Sequence, residues 1–369
     1  MVVMRRQKGS VIIVTLWTIT LMTILVAVIA SQNRLSAQVA YFHQQELAAW
    51  ANLQAAMNQS EMELMLERMP LPASSEQPAD TLTLAESLNE QLKNPRYRYN
   101  GDELTLAYPQ AADIGVRIYD HAGKINLREI SPARLRGLIE KKLGEDAEPE
   151  QVDLLMEAWN DWRDLNDGAS AIGAEEDYYQ KLEVPFSPRN GALETVQELL
   201  SIRGFADVFG DVELDAAFTI YGEDELINLN VATIEAMRLL PGLDDKLIAD
   251  ILEWRKDNEF QGNGDVAQIV PAENMTELRS WLNSRKTTNY YTIMVYPHAG
   301  AGSAKADEDA DTNDDDETTD NNEAEPRLTA FAETVYVPAA TERPQVLKIN
   351  PYETLPMTAL PMADSEAAQ

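Results

Sequence analysis

MVVMRRQKGSVIIVTLWTITLMTILVAVIA, residues 1–30, opens with three cations, Arg5, Arg6 and Lys8, and then runs uncharged from residue 11 to residue 30. At 1.5 Å per helical residue, about 20 such residues span about 30 Å, the thickness of a bilayer's hydrocarbon core. Positive charge before the span places that end in the cytoplasm and the bulk of the chain across the membrane. A secretory signal peptide has a shorter apolar region followed by a small-residue cleavage site. A buried core helix is seldom apolar all round. The single spanning helix is the reading that fits.

Residues 31–69 contain neither proline nor glycine, so the helix has no reason to stop at the membrane surface. Leu35, Val39 and Phe42, then Trp50, Leu53, Met57 and Leu64, recur at steps of three, four or seven and line one face. Pro70 and Pro72 end the run, because proline lacks the N–H and clashes with the preceding turn. The expectation is one rod of about 60 residues, on the order of 90 Å long.

A basic leader ending in Gly9, followed directly by Ser10-Val11-Ile12-Ile13-Val14, resembles the leader of type IV pilins and pseudopilins. That resemblance implies cleavage between Gly9 and Ser10 by a prepilin peptidase and methylation of the new N-terminus. It also implies a glutamate at the fifth mature position, where this chain has Val14. In the family that carboxylate pairs with the terminal amine of a neighbouring subunit, and a buried carboxylate is costly unless paired. Its absence is shared with the K-type minor pseudopilins of type II secretion systems, and it suits a tip subunit with nothing above it. A pilin that has simply lost the pairing would show the same residue.

Composition narrows the field from another side. The chain has 369 residues, 62 acidic against 30 basic, a net charge of −32, and no cysteine. Nucleic-acid binding rests on Lys and Arg neutralising phosphates, so this field argues against it. Disulfides and thiol chemistry are excluded. His43, His121 and His298 are too scattered for a His-based triad or metal site. Nucleophile-elbow, Walker and dinucleotide-binding motifs are all absent, and with so many acids a pair of carboxylates carries no information. No enzyme is expected.

Along the chain, residues 96–108 carry alternating residues around Asn100-Gly101, which predicts a hairpin with a type I′ turn. Residues 115–120 predict a further strand. Ser131-Pro132 predicts a helix start with the serine hydroxyl as cap. Further helices are expected over 151–164, 195–202, 233–240, 245–257 and 274–283. Two segments echo one another: Ile125-Asn126-Leu127 recurs as Ile227-Asn228-Leu229, and residues 199–205 (LLSIRGF) resemble residues 239–243 (LLPGL). The second pair predicts helix–hairpin–helix turns. Acids crowd them, Glu235, Asp244, Asp245, Asp250 and Glu253 among them, so phosphate binding is opposed. Strands return over 290–296, 328–337 and 345–350. Residues 299–326 lack any aromatic or large aliphatic side chain and predict a disordered, solvated acidic loop.

The expected fold class is therefore α+β: a long N-terminal transmembrane and amphipathic helix, then a pilin-like antiparallel sheet interrupted by a large all-helical insertion. The expected divisions are leader 1–9, transmembrane helix 10–30, extramembrane helix 31–72, first β region 73–124, insertion 125–285, second β region 286–352 and tail 353–369. This order also resembles the K-type minor pseudopilin. That resemblance implies a single-pass inner-membrane protein with its bulk in the periplasm. It would start a pseudopilus with the I- and J-type minor pseudopilins, meet the major pseudopilin, and support export, with the secreted substrate or the secretin as further partners. A minor pilin of a type IV surface pilus and a membrane-tethered, calcium-binding periplasmic protein are the rival readings.

The most specific internal motif is WNDWRDLND at 159–167 followed by GAEEDYY at 173–179. Asp161 and Asp164 lie three apart at a helix end, and Asp167, Glu175, Glu176 and Asp177 follow on a glycine-containing loop. An oxygen-only donor set without His or Cys suits Ca2+. The spacing is not that of an EF-hand, and a charged loop held by its own hydrogen bonds is the alternative. The stretch resembles the family segment associated with calcium.

Overall fold

The computed structural model describes residues 10–67, 98–105, 114–144, 147–166, 168, 170, 172–298, 329–338 and 342–360. The leader with Gly9, Asp167 and the acidic loop 299–326 lie outside the described residues. So do 68–97, which include the expected helix end at 68–72, and the last part of the tail, 361–369.

The chain divides into two compact units, Met1–Ala55 and Ala56–Gln369. Helix α1, Ser10–Glu67, runs 58 residues without interruption, as the absence of proline and glycine demands. In the first unit its apolar side chains, Ile12 to Trp50, are exposed. Its stretch from Ile12 is long and apolar enough to cross a membrane, with a mean hydropathy of 2.6 over the most apolar window. In the second unit, Ala56, Met57, Ser60 and Leu64 bury one stripe of its last three turns at the expected three-to-four spacing.

The second unit contains a five-stranded antiparallel sheet of order β1-β2-β5-β6-β7. Its strands are β1 Asn100–Glu103, β2 Ile114–Asp120, β5 Tyr290–Pro297, β6 Thr329–Tyr336 and β7 Gln345–Thr354. β2 and β5 are paired along their whole length, from Ile114 opposite Pro297 to Asp120 opposite Tyr291, although the insertion separates them in sequence. β5 is the central strand and is buried on both faces, which explains why YYTIMVY reads as continuous rather than alternating. On one face Tyr119, Met294, Tyr296, Ala330 and Ala332 pack together with Leu355.

The Asn100-Gly101 hairpin does not form. β1 pairs with β2, and its register slips between Asn100 and Glu103. Gly101 does take a positive φ of 89°, but Asn100 does not, so a type I′ turn is ruled out and the glycine serves a bulge. The local conformational cue was real and its use was different.

Among the described residues the insertion carries helices, a two-residue parallel pair, β3 Ile125–Asn126 with β4 Phe218–Thr219, and a single parallel bridge between Ile227 and Leu282. Helices occupy Pro132–Leu143, Pro149–Arg163, Ile234–Leu239, Asp245–Asp257 and Ala272–Leu278, joined by shorter turns. Ser131 precedes the first of these without a side-chain cap; its backbone N–H donates instead to Glu225 Oε2 at 2.8 Å. The expected helix at 195–202 is a 3₁₀ segment, Val196–Ser201, opened by a capping box of Thr195 and Glu198. Asp244 caps Asp245–Asp257 through the Leu247 N–H at 2.7 Å, and the bounds agree with the expected 245–257. One large core unites the insertion, from Ile125 to Leu282. β7 runs four residues past the expected strand end, and Met357 and Leu360 of the expected tail pack against the insertion core.

Both internal echoes are structural. Asn126 Oδ1 accepts the Arg128 N–H at 3.1 Å, and Asn228 Oδ1 accepts the Asn230 N–H at 2.9 Å. Asn126 Nδ2 donates to the Gly222 carbonyl at 3.1 Å, and Asn228 Nδ2 to the Lys286 carbonyl at 2.8 Å. Gly204 and Gly242 share a left-handed φ, 78° and 77°, each at a turn between helical segments.

Candidate functional site

The helix Pro149–Arg163 ends at Asp164, and the chain then folds back over the helix end before Glu176–Tyr179 makes one further helical turn. This brings the acidic motif together only in part. Asp161 is buried at 1% exposure and Glu175 at 3%. Asp161 accepts from the Ser170 N–H at 3.2 Å through Oδ2, and the Ser170 hydroxyl donates to Oδ1. Gly173 crosses so close to Asp161 that an added Cβ would stand 1.9 Å from Oδ2.

Asp164 is half-buried and accepts from Asn166, from its N–H at 3.0 Å and from Nδ2 at 2.6 Å. Glu176 and Asp177 are exposed. Glu176 Oε1 accepts from Gln180 Nε2 at 2.7 Å and from the Ser187 hydroxyl at 2.9 Å. Among the described residues, no group of three or more His, Asp or Glu side chains is gathered closely enough to hold a metal ion.

Aromatic rings wall the two buried acids. Tyr179 is packed edge-on by Trp162 at 5.3 Å and lies 5.1 Å from Phe186. Burial pushes the Tyr179 phenol up to about 12; Tyr178, Asp161 and Glu175 add to the rise, and the hydrogen bond from the Arg203 N–H opposes it. Arg203 closes the site from the other side. Its Nη1 donates to the Ile172 and Gly173 carbonyls at 3.2 and 2.9 Å, and its guanidinium lies 4.7 Å from the Tyr178 ring centroid. Ser170, Tyr179 and Arg203 therefore belong to the site, though the acidic spacing singled out none of them. Tyr179 closes the GAEEDYY stretch itself; the only hint for Ser170 was its place between the two halves of the motif, and for Arg203 its place inside the LLSIRGF echo.

The spine carries the other candidate residues. Ser10 begins α1. Val14 lies on the exposed surface of α1, among uncharged neighbours.

A third constellation lies where the insertion joins the sheet. Asn228 N–H donates to the Ala122 carbonyl at 2.9 Å while its side chain reaches the Lys286 carbonyl, so one residue grips both connecting segments. Lys286 Nζ donates in turn to the Asp224 and Leu226 carbonyls at 3.0 and 2.6 Å. His121 is buried beside this neck, between the hydroxyls of Thr219 at 2.7 Å and Thr292 at 2.8 Å. Burial holds its pKa well below the ordinary value, with Lys124 and Lys348 adding to the effect. The imidazole is neutral there, which suits a structural role.

A long apolar N-terminal helix, an antiparallel sheet and a helical insertion within that sheet make up the expected α+β architecture. Residues 123–209 match the family described as Type II secretion system (T2SS), protein K. Over this stretch, about a quarter of its length, the chain is similar to that family. Type II secretion system protein K of Pectobacterium carotovorum subsp. carotovorum is 37% identical over 73 residues, 20% of this chain. The match spans 22% of that relative's length. The GspK-GspI-GspJ complex from the enterotoxigenic Escherichia coli type 2 secretion system contains a chain with 16% identity and a TM-score of 0.47, covering 87% of this chain and 100% of that one.

Proposed function

We propose that the chain is the minor pseudopilin at the tip of a type II secretion pseudopilus. It starts assembly with the I- and J-type minor pseudopilins and supports protein export across the outer membrane. It is a structural subunit, not an enzyme. The observation that carries this reading is Val14, an apolar residue on an uncharged helix surface at the position where pilin-type subunits carry the pairing glutamate. Without that carboxylate, α1 docks on neighbouring helices by apolar contact and has no charge with which to capture the amine of a subunit above it. The insertion between β2 and β5 adds bulk to the head, which favours a position with nothing stacked above it.

On this reading the chain is a single-pass inner-membrane protein with a cytoplasmic N-terminus, until a prepilin peptidase cuts between Gly9 and Ser10 and the new terminus is methylated. The major pseudopilin follows below it in the filament. The secretin and the exported protein are the partners the tip would meet, and nucleic acid is not among them. N-terminal sequencing of the membrane-extracted protein tests the core of this. The mature chain is expected to begin at Ser10, and a Gly9→Arg variant to remain uncut. A mature chain beginning at Met1 would refute it.

Calcium is the ligand proposed for the loop at 161–177. The donor chemistry fits in part: Asp161 and Glu175 are buried carboxylates, and the Ser170 hydroxyl donates to Asp161. Asp161 and Glu175 would bind the ion, with Asp164, Asp167, Glu176 and Asp177 available as the loop tightens. Bound Ca2+ would neutralise the buried acids and fasten the loop to the helix end. Calorimetry should record heat of binding and a raised melting temperature; no heat and no shift would remove calcium and leave the assembly reading standing. These oxygens also make the tethered calcium-binding protein the second reading, and cleavage after Gly9 separates the two.

A further inference from the structure

Past β7 the chain crosses back over the insertion, where Met357 and Leu360 pack against its core. One polar contact fastens this strap: the Met357 N–H donates to Glu235 Oε1 at 2.7 Å. Glu235, on the helix Ile234–Leu239, is 6% exposed. Its other oxygen, Oε2, is buried with no hydrogen-bond partner among the described residues. A carboxylate buried without a full set of donors is costly, and such a group takes up a proton instead.

The neighbouring cations are committed elsewhere. Arg238, three residues on in the same helix, holds Asp245 through two bonds of 2.9 Å. Lys142 pairs with Asp211 at 2.6 Å. Lys124, itself buried, gives its Nζ to the Asp215 carbonyl at 2.6 Å. Lys348 of β7 lies 2.6 Å from Asp215 Oδ1 and 3.9 Å from Glu353 Oε2. Lys124 and Lys348 thus face Asp215, Glu235 and Glu353, and the acids are in excess by one. A cavity of about 150 Å³ opens beside Glu235, and its lining includes Lys142, Asp211, Glu213, Arg238 and Met357.

We propose that Glu235 is the proton-dependent catch of this strap: residues 355–360 are fastened to the insertion while its carboxyl is protonated and let go as it ionises. Burial pushes the carboxyl above its ordinary value of 4.5; the N–H groups of Met357 and Glu235 and the charges of Lys124 and Arg238 oppose the rise without cancelling it. The fastened strap therefore holds a proton that the released strap gives up near pH 4.5. Fastening is full below that point and is lost as pH rises through the raised value. Glu353, raised by burial and by Asp215, acts in the same sense. Lys124, lowered to about 8 by burial, is charged in both states below pH 7 and adds no slope there. On the sheet side, burial raises the Tyr119 phenol, which stays neutral throughout.

Hydrogen exchange on the full-length, detergent-solubilised chain tests it, with each rate divided by the intrinsic rate of the unfolded amide at the same pH. Protection of the Met357 amide and its neighbours to Leu360 is expected to fall about tenfold between pH 4.5 and pH 7.5, and to stay below that of β5. Glu235→Gln keeps an oxygen for Met357 and carries no charge. It is expected to hold the strap's acid-side protection at both pH values and to leave the β5 profile unchanged, whereas Glu353→Gln should leave most of the fall in place. A strap equally protected at both pH values in the parent would overturn the catch. So would a fall as steep in Glu235→Gln as in the parent. Strap protection equal to that of β5 at both pH values would mean that the whole unit opens, and would overturn it without any variant.

Discussion

Gly173→Ala is the most informative single change. The added Cβ would lie 1.9 Å from Asp161 Oδ2 and 2.8 Å from its Cγ. A side-chain end usually swings away at small cost, but Asp161 is 1% exposed and held by both the N–H and the hydroxyl of Ser170. Moving it gives up hydrogen bonds to a charged group, each contributing about 1.5–3 kcal/mol, so the loss is about 3 kcal/mol. For a unit of this size each kcal/mol lowers the melting temperature by roughly 2–4 °C, which gives a drop of about 6–12 °C. Scanning calorimetry on the full chain, with calcium and with chelator, measures it. The variant should also lose the calcium-dependent rise, because the displaced carboxylate is a proposed ligand, whereas Asp161→Asn should lose the calcium response with a smaller drop. A Gly173→Ala protein melting within about 2 °C of the parent, with its calcium response intact, would show that the loop has slack and that the buried geometry of Asp161 is not what the motif preserves.

Three further substitutions probe backbone geometry and a buried carboxyl. Gly137 sits within the helix Pro132–Leu143 with nothing within 4 Å of an added Cβ, so Gly137→Ala should stabilise by about 0.5–1 kcal/mol in denaturant unfolding. Gly242 has φ 77° and its Cβ would meet the Asn274 carbonyl oxygen at 2.5 Å, so Gly242→Ala should destabilise by about 2–4 kcal/mol in the same assay. Asp120 is pushed up from 3.8 to about 6, chiefly by burial, against the opposing pull of bonds from Ala122, Thr288 and the charge of Lys286. The folded chain therefore holds a proton there that the unfolded chain releases near pH 4. Stability contributed by this group is full below that point and falls as pH rises to about 6, by up to about 3 kcal/mol, and Asp120→Asn should flatten that slope in melting curves across pH 4–7.

Much of the architecture could be read before any coordinates. The unbroken helix followed from a long stretch without proline or glycine, and the helix expected over 245–257 coincides with Asp245–Asp257. What escaped was set by distant contacts. β3 and β4 are two residues each, too short to show a period, and exist because the insertion folds their segments side by side. Asn100-Gly101 carried a genuine left-handed signal, but a bulge and a hairpin share it, and pairing with β2 decided between them. The acidic motif was legible as a list of oxygens and not as a site. Which acids turn inward depends on Trp162, Tyr179 and Arg203 closing around them, and no spacing rule connects residue 161 with residue 203.

The grip of Asn228 on both connecting segments bears on how the head carries load. A domain spliced into a sheet at adjacent points would swing on two parallel tethers like a pendulum. Here Asn228 clamps the tethers at Ala122 and Lys286, and a third stretch of chain returns beyond β7 to plant Met357 N–H on Glu235 Oε1 at 2.7 Å. Three anchorages restrain the insertion more than two tethers alone would. Were the chain the tip subunit proposed above, such a head would pass force on with less play than one held by two tethers.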